Sequence, residues 1–342
     1  STPDVIKTLQ MLPGVSSGTE LLSGFYVHGG DGSDNLFLLD GVPVYQVSHM
    51  LGLFSSFNTD VISSIDFYKT GFPARFGSKL SSVVDVTTKD GDFNEYHGLF
   101  GIGLIDGRLQ FEGPLWKGKT SFNVGLRRTW TETLTMPVLA LVNKYNSPDK
   151  TNIRYAFTDL NAKITHKFSE RSRLSANFYT GRDVGEYMGK NVSQYYDGEG
   201  IYHNEISQVD IGLSWGNILG SLNWDYGFSN TLSMRNIAYY SGSLSNLFFI
   251  SRDIDTFKNS ISNGAYNMSD VHNIGLKSDF HHIPDPRHKL RYGATLQYHI
   301  YCPNATAKSD IVQDVMSFTQ IAYADSLRYD TVEASVYAED EM

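Results

Sequence analysis

The sequence predicts a mainly β fold, a transmembrane antiparallel β-barrel sheet of about ten strands preceded by a small α/β unit. The first observation behind this is alternation. From Lys289 to Ile300, Leu290, Tyr292, Ala294, Leu296, Tyr298 and Ile300 alternate with Lys289, Arg291, Gly293, Thr295, Gln297 and His299, the period of a strand with one apolar and one polar face. The second is the rhythm of the connections. Strands start near residues 96, 107, 119, 156, 172, 206, 231, 270, 289 and 328, joined by short turns (113–119, 169–171, 229–230, 284–288) and long loops (131–155, 184–205, 241–269, 302–327). Membrane barrels of the outer-membrane type have this asymmetry, and a soluble sandwich has no reason for it. The third is composition: 342 residues with 13% aromatic residues, 19% charged residues and 31 glycines exclude long disorder.

Other classes fall away on similar grounds. With 28 basic and 37 acidic residues the net charge is −9, and no basic run offers a nucleic-acid face. The single cysteine, Cys302, allows no disulfide framework and no thiolate cluster. No stretch approaches the roughly 18 apolar residues of a membrane helix. The longest, Pro137 to Val142, is far shorter.

At the N-terminus, Thr2 suits a helix cap, Pro3 its first position, and Val5, Leu9 and Leu12 one apolar face, with Pro13-Gly14 as the stop. Strand-sized apolar pieces follow: Phe25 to Val27, Leu36 to Leu39, Ile65 to Tyr68 and Val83 to Val86. Asn58 to Ser63 reads as a short helix capped by Asn58. In the later half the alternation flips phase: Ile211, Leu213 and Trp215 precede Gly216-Asn217, and Leu222, Trp224, Tyr226 and Phe228 follow. A β-bulge there would flip faces without ending the strand.

Several motifs stand in a telling order. Asp4 to Gly14, Val27-His28-Gly29-Gly30, Leu39-Asp40-Gly41-Val42-Pro43-Val44-Tyr45, Gly71-Phe72-Pro73-Ala74-Arg75-Phe76-Gly77 and Leu80 to Val86 resemble the plug domain of TonB-dependent outer-membrane receptors. His28 stands where that family usually has Arg, and Thr70 where it has Gly. Gly103 to Leu109, Glu112-Gly113-Pro114-Leu115 and Arg127-Arg128-Thr129-Trp130 resemble the family's first barrel strands. The resemblance implies a plug over residues 1–92 inside the lumen of a barrel that starts at residue 93. A plugged transporter barrel of this kind has 22 strands, so ten strands imply a truncated chain that lacks about 300 further residues.

No catalytic constellation appears, and the chain is not expected to be an enzyme or to hold a cofactor. His281-His282 with His288 flank a turn, but adjacent strand residues point to opposite faces and do not chelate one ion. Asp31, Ser33 and Asn35 lack the glycine and glutamate of a calcium loop. By resemblance the plug loops form the floor of a solute cavity, so His28, Asp31, Tyr45, Gln46 and His49 are candidate solute contacts. Arg75 is the candidate plug–barrel latch, since plug arginines of the family pair with barrel carboxylates. Arg127 and Arg128 alternate, one toward the lumen and one toward lipid, and Trp130 suits an interfacial girdle. The implied activity is uptake of a scarce solute such as an iron chelate, cofactor, glycan or peptide. The implied partners are periplasmic TonB, outer-membrane lipid, the solute and a surface lipoprotein. A non-transporting outer-membrane adhesin or assembly scaffold is the alternative, and a soluble β-rich sugar-binding or hydrolytic domain a third.

Overall fold

The computed structural model describes residues 4–11, 15–17, 25–27, 35–69, 73–77, 82–256, 259–313 and 316–341. The expected cap at Thr2 and Pro3 and the stop at Pro13-Gly14 lie outside these residues. Helix α1 (Val5–Gln10) buries Val5, Ile6 and Leu9. Strands β1 (Val15–Ser17) and β2 (Phe25–Val27) pair with each other. Then follow β3 (Asn35–Leu39), β4 (Val42–Pro43), β5 (Ser48–His49), β6 (Phe54–Ser55), β7 (Ile62–Tyr68) and β8 (Ser82–Thr88). The central sheet has the order β4-β3-β8-β7 with β3 and β8 parallel. That pair is buried, and Phe37, Leu38, Leu39, Val83, Val84 and Val86 form its apolar run. Asp40 and Gly41 take φ of 51° and 81°, the two-residue turn geometry that an Asp-Gly pair adopts. Asn58 caps a 3-10 turn (Thr59–Val61) rather than an α-helix, accepting from Asp60 N at 3.1 Å before β7 begins at once.

The second unit is one antiparallel sheet. It comprises β9 (His97–Ile102), β10 (Asp106–Trp116), β11 (Thr120–Thr129), β12 (Lys150–Ser169), β13 (Ser172–Tyr196), β14 (Tyr202–Gly227), β15 (Leu232–Ile254), β16 (Ser260–Asp285), β17 (His288–Gln313), β18 (Met316–Ser326) and β19 (Tyr329–Glu341). Neighbours in sequence pair from β9 to β18. Strand β17 is shared: its upper part pairs with β18 and its lower part, Lys289 to Tyr301, with β19.

Three sequence expectations change. The long loops expected at 184–205, 241–269 and 302–327 are mostly strand, because the hairpins continue their ladders far past the apolar segment. Much of the 131–155 loop is helix α2 (Thr131–Tyr145), which lies along the part of β12 that rises beyond β11. Asn143 donates to Thr151 O at 2.8 Å and accepts from Thr151 N at 2.7 Å, covering an edge that would otherwise be unpaired. Finally, there is no bulge at Trp215-Gly216-Asn217. Asp183 pairs with Trp215, Arg182 with Gly216 and Gly181 with Asn217 in unbroken register. The residues before and after the flip do lie on opposite faces, and those faces meet different surroundings at different heights.

The burial pattern identifies the faces. Asp159, Asn161 and Lys163 on β12, Asn217, Ser221 and Asn223 on β14, and Ser241 and Ser243 on β15 are buried polar residues pointing inward onto the plug. Outward positions at the same height hold Leu126, Ile164, Phe178, Leu222, Trp224, Ile274, Leu276 and Leu296, all more than a third exposed. Polar inside and apolar outside is the inverse of a soluble protein and the pattern of a barrel wall in lipid. Close approach is built in where plug and wall touch. A Cβ on Gly125 would lie 2.4 Å from Val61 Cγ1 of the plug, and one on Gly41 2.8 Å from Ile237 of the wall.

Candidate functional site

The segment from Val44 to Ser56 runs across the top of the plug and is bound to the wall at several points. Gln46 N donates to Asn217 Oδ1 at 2.9 Å, and Asn217 Nδ2 donates back to Gln46 O at 2.6 Å. Met50 N is shared between Tyr155 Oη at 2.7 Å and Asp183 Oδ2 at 2.9 Å. Trp215 Nε1 points to Ser48 O at 3.5 Å.

At the centre of this contact sits His49, 2% exposed. Its Nε2 lies 2.8 Å from Asp159 Oδ1, and its Nδ1 bonds Asp183 Oδ1. The ring stacks on Phe157 with centroids 4.1 Å apart. Arg127 completes the group: Nε and Nη2 reach Asp159 Oδ2 at 2.9 and 2.7 Å, and Nη2 also donates to Ser55 O at 2.6 Å. Tyr179 Oη donates to Ser56 O at 3.2 Å, and Tyr155 Oη bonds Asp183. Burial lowers the His49 pKa, but the carboxylates of Asp159 and Asp183 outweigh it and hold the ring up to about 9. Near neutral pH two cations and two carboxylates therefore face one another in a closed site, which satisfies the requirement that buried charges be paired.

A second polar contact joins the plug to the turn side of the wall. Lys163 Nζ donates to Thr88 O at 3.0 Å and lies 2.9 Å from Asp90 Oδ1 and 3.4 Å from Asp40 Oδ1. Arg173 Nη1 reaches Asp90 Oδ2 at 2.7 Å. Burial opposes ionisation of Asp90, but Lys163 and Arg173 hold its carboxyl below the ordinary range. Further along, Arg75 Nη1 donates to Glu339 Oε1 of β19 at 2.8 Å and Nη2 to Tyr68 Oη at 3.1 Å, with its guanidinium over the Phe76 ring. Between this face of the plug and the wall lies a polar cavity of about 1050 Å³, lined by Asp85, Asp90, Arg173, Arg235, Lys277 and others.

Of the candidate solute contacts, Tyr45, Gln46 and His49 share one loop, whereas His28 and Asp31 lie outside the described residues. Tyr45 is 37% exposed, and burial of its remaining surface beside Asn273 pushes the phenol up to about 12, so it stays a neutral donor. Gln46 has both main-chain groups occupied by Asn217. Both ring nitrogens of His49 are taken by barrel carboxylates, which makes it a plug–barrel contact in this arrangement. Arg75 sits beside Glu339, far from the loop that carries Tyr45 in the chain and on the turn side of the wall. Arg127 and Arg128 do face opposite ways: the first is buried, and the second is exposed and paired with Glu132 at 3.1 Å. Sequence reasoning missed Asp159, Asp183 and Asn217. Asp159 and Asn217 stand 110 and 171 residues from the plug residues they hold. The one signal available was an aspartate on the polar face of an alternating strand, as at Asp159.

Residues 1–84 match the family model described as the TonB-dependent Receptor Plug Domain. No curated protein matches the chain. Among solved structures it is similar to a mutant of the ferric enterobactin receptor of Pseudomonas aeruginosa, at 11% identity over 93% of this chain and 68% of that one, TM-score 0.39. It is also similar to the ferric yersiniabactin uptake receptor of Yersinia pestis, at 11% identity over 97% of this chain and 58% of that one, TM-score 0.41. A third is the ferric-catecholate import receptor of E. coli K12 in its open form, at 8% identity over 98% and 63% of the two chains, TM-score 0.43.

Proposed function

We propose that this chain, a TonB-dependent receptor of the bacterial outer membrane with its plug and part of its barrel, imports a scarce solute by TonB-driven displacement of that plug. The observation that carries the reading is the nature of the plug–wall contact. The inner wall meets the plug through a set of hydrogen bonds and ion pairs, Gln46 with Asn217, His49 with Asp159 and Asp183, Lys163 with Asp90, and Arg75 with Glu339, beside one apolar contact in which Tyr179, Leu219, Ile237 and Tyr239 pack on the plug core. The polar part of this surface, with Asp159, Lys163, Asp183 and Asn217, remains compatible with water once the plug moves. The plug is thus the two-state element, biased by solute from outside and by force from the periplasm. Arg75 acts as one latch of that element. Tyr45 and Gln46, with His28 and Asp31, contribute to the solute floor. The solute is an iron chelate, cofactor, glycan or peptide.

The test uses Ser121, which is fully buried and donates to Asp90 O at 2.7 Å beneath the plug. Ser121→Cys in a Cys302→Ser background is exposed to a membrane-impermeant thiol reagent in cells that depend on the receptor for growth. Labelling that requires both TonB and an energised inner membrane supports import. Labelling that is absent, or indifferent to TonB, favours an adhesin or scaffold that keeps the architecture without transport.

A further inference from the structure

The phase flip in β14 extends to its neighbours. Lining up the unbroken registers, Ile153, Tyr187, Ile211 and Phe249 fall in one row across β12, β13, β14 and β15. The adjacent row toward the plug is Tyr155, Gly185, Leu213 and Leu247. All have the parity of the buried plug-facing residues Asp159, Asp183, Asn217 and Ser243, so they face inward. Trp215, one step nearer the plug, confirms the direction by reaching Ser48 O, and its ring lies 6.5 Å from that of Tyr155. Just above the plug these two rows make the inner side of β12 to β15 apolar. Ile153, Tyr187, Leu247 and Phe249 are 46%, 39%, 45% and 44% exposed. Outward positions at this height include the Arg154–Glu186 ion pair and Asp210 beside Phe248 and Ile250, no longer the uniform apolar band that faces lipid lower down.

The cations sort in the opposite sense. On β12 to β16, inward positions carry Lys163, Lys167, Arg173, Arg235 and Lys277, all level with the plug or on its turn side. The cations above the plug, Lys150, Arg154, Arg182, Lys190 and Arg252, all have outward parity. Among the described residues of these strands, no lysine or arginine faces the space above the plug. Glu205 does, accepting from Tyr195 Oη at 2.9 Å.

We propose that this inner wall is a solute-binding surface, and that it takes a solute with an extended aromatic or aliphatic face and no net negative charge. The inference rests on the import reading, since it places the occupant in the vestibule on the outer side of the plug. An apolar surface open to water inside a barrel lowers its free energy by covering apolar area. Among the described residues of β12 to β16, an anionic solute would meet Glu205 and no lysine or arginine. Gly185 brings no side chain to the second row, and the Tyr155 ring lies beside it, its Cδ2 3.5 Å from where a Cβ would stand.

The experiment uses the full-length receptor in lipid nanodiscs and two photoreactive probes. One is a neutral benzophenone carried on a short ethylene glycol chain, and the other is its sulfonated counterpart. Cross-linked peptides are mapped by mass spectrometry. The neutral probe is expected to label the β12–β15 segments above the plug about tenfold more than the sulfonated one. Phe249→Ser and Tyr187→Ser are each expected to reduce that labelling by about tenfold, and Phe248→Ser, on the outward side, to leave it unchanged. Equal labelling by both probes, labelling confined to the lipid-facing band, or indifference to both inward variants overturns the proposal. If Ser121→Cys is exposed by TonB yet the wall is not labelled, this inference fails and import stands. Wall labelling without TonB-dependent exposure fails the import reading instead.

Discussion

Replacement of His49 by Gln separates its charge from its shape at the centre of the plug–wall contact. In the wild type, the shift of the ring from 6.5 to about 9 corresponds to about 3 kcal/mol favouring the docked plug, at 1.36 kcal/mol per pKa unit. Because the docked value is raised, that contribution is complete below about pH 6.5 and disappears as pH rises through about 9. Arg127, Asp159, Asp183, Tyr155 and Tyr179 surround the ring. His49→Gln keeps hydrogen-bonding capacity but leaves Asp159 and Asp183 facing Arg127 alone, a loss of about 3–5 kcal/mol for a buried pair broken on one side. The assay is urea-induced release of the plug from the barrel, followed by labelling of Ser121→Cys in detergent at pH 6, 7.5 and 10. The wild-type stability should fall by about 1 kcal/mol from pH 6 to 7.5 and by about 2 kcal/mol more by pH 10. The variant should begin low and show little further decrease. A wild-type midpoint flat to pH 10, or a variant as stable as wild type, refutes the claim that a protonated His49 fastens the plug.

Other perturbations grade the remaining contacts. Lys163→Met removes the cation beside the buried Asp40 and leaves Asp90 to Arg173, and plug release should become easier by about 3 kcal/mol in the same urea assay. Arg75→Ala breaks a pair whose side chains are 16% and 21% exposed, so its effect should be smaller, about 1 kcal/mol, and should shrink in high salt. Tyr45→Ala should reduce cross-linking of the neutral benzophenone probe by about fivefold or more while barrel assembly, read by heat-modifiable gel mobility, is unaffected. Unchanged labelling removes Tyr45 from the solute floor.

The lower halves of the strands were legible because one face meets lipid and the other meets polar plug contacts, which imposes strict alternation over many residues. The same logic hid the upper halves. Past the lipid band the outer face becomes mixed and the inner face apolar, as Ile211, Leu213 and Trp215 show, so a sequence reader meets a phase flip and infers a bulge or a loop where the ladder is continuous. Helix α2 escaped notice because Pro137 stands inside it, where a sequence reader expects a break, and its role, covering the β12 edge through Asn143, depends on β11 ending early. The Asn58 cap is local chemistry and was readable directly. The ligand-like appearance of His49 concealed a structural contact, because its two carboxylates come from strands more than a hundred residues away.

The central claim is that a detachable plug closes this wall, and single-channel recording of the full-length receptor in planar bilayers tests it most directly. The account predicts negligible ion conductance in the native state and reversible stepwise conductance as urea releases the plug, appearing at lower urea in His49→Gln. A native receptor that conducts continuously, or one that never conducts after plug release, would contradict it.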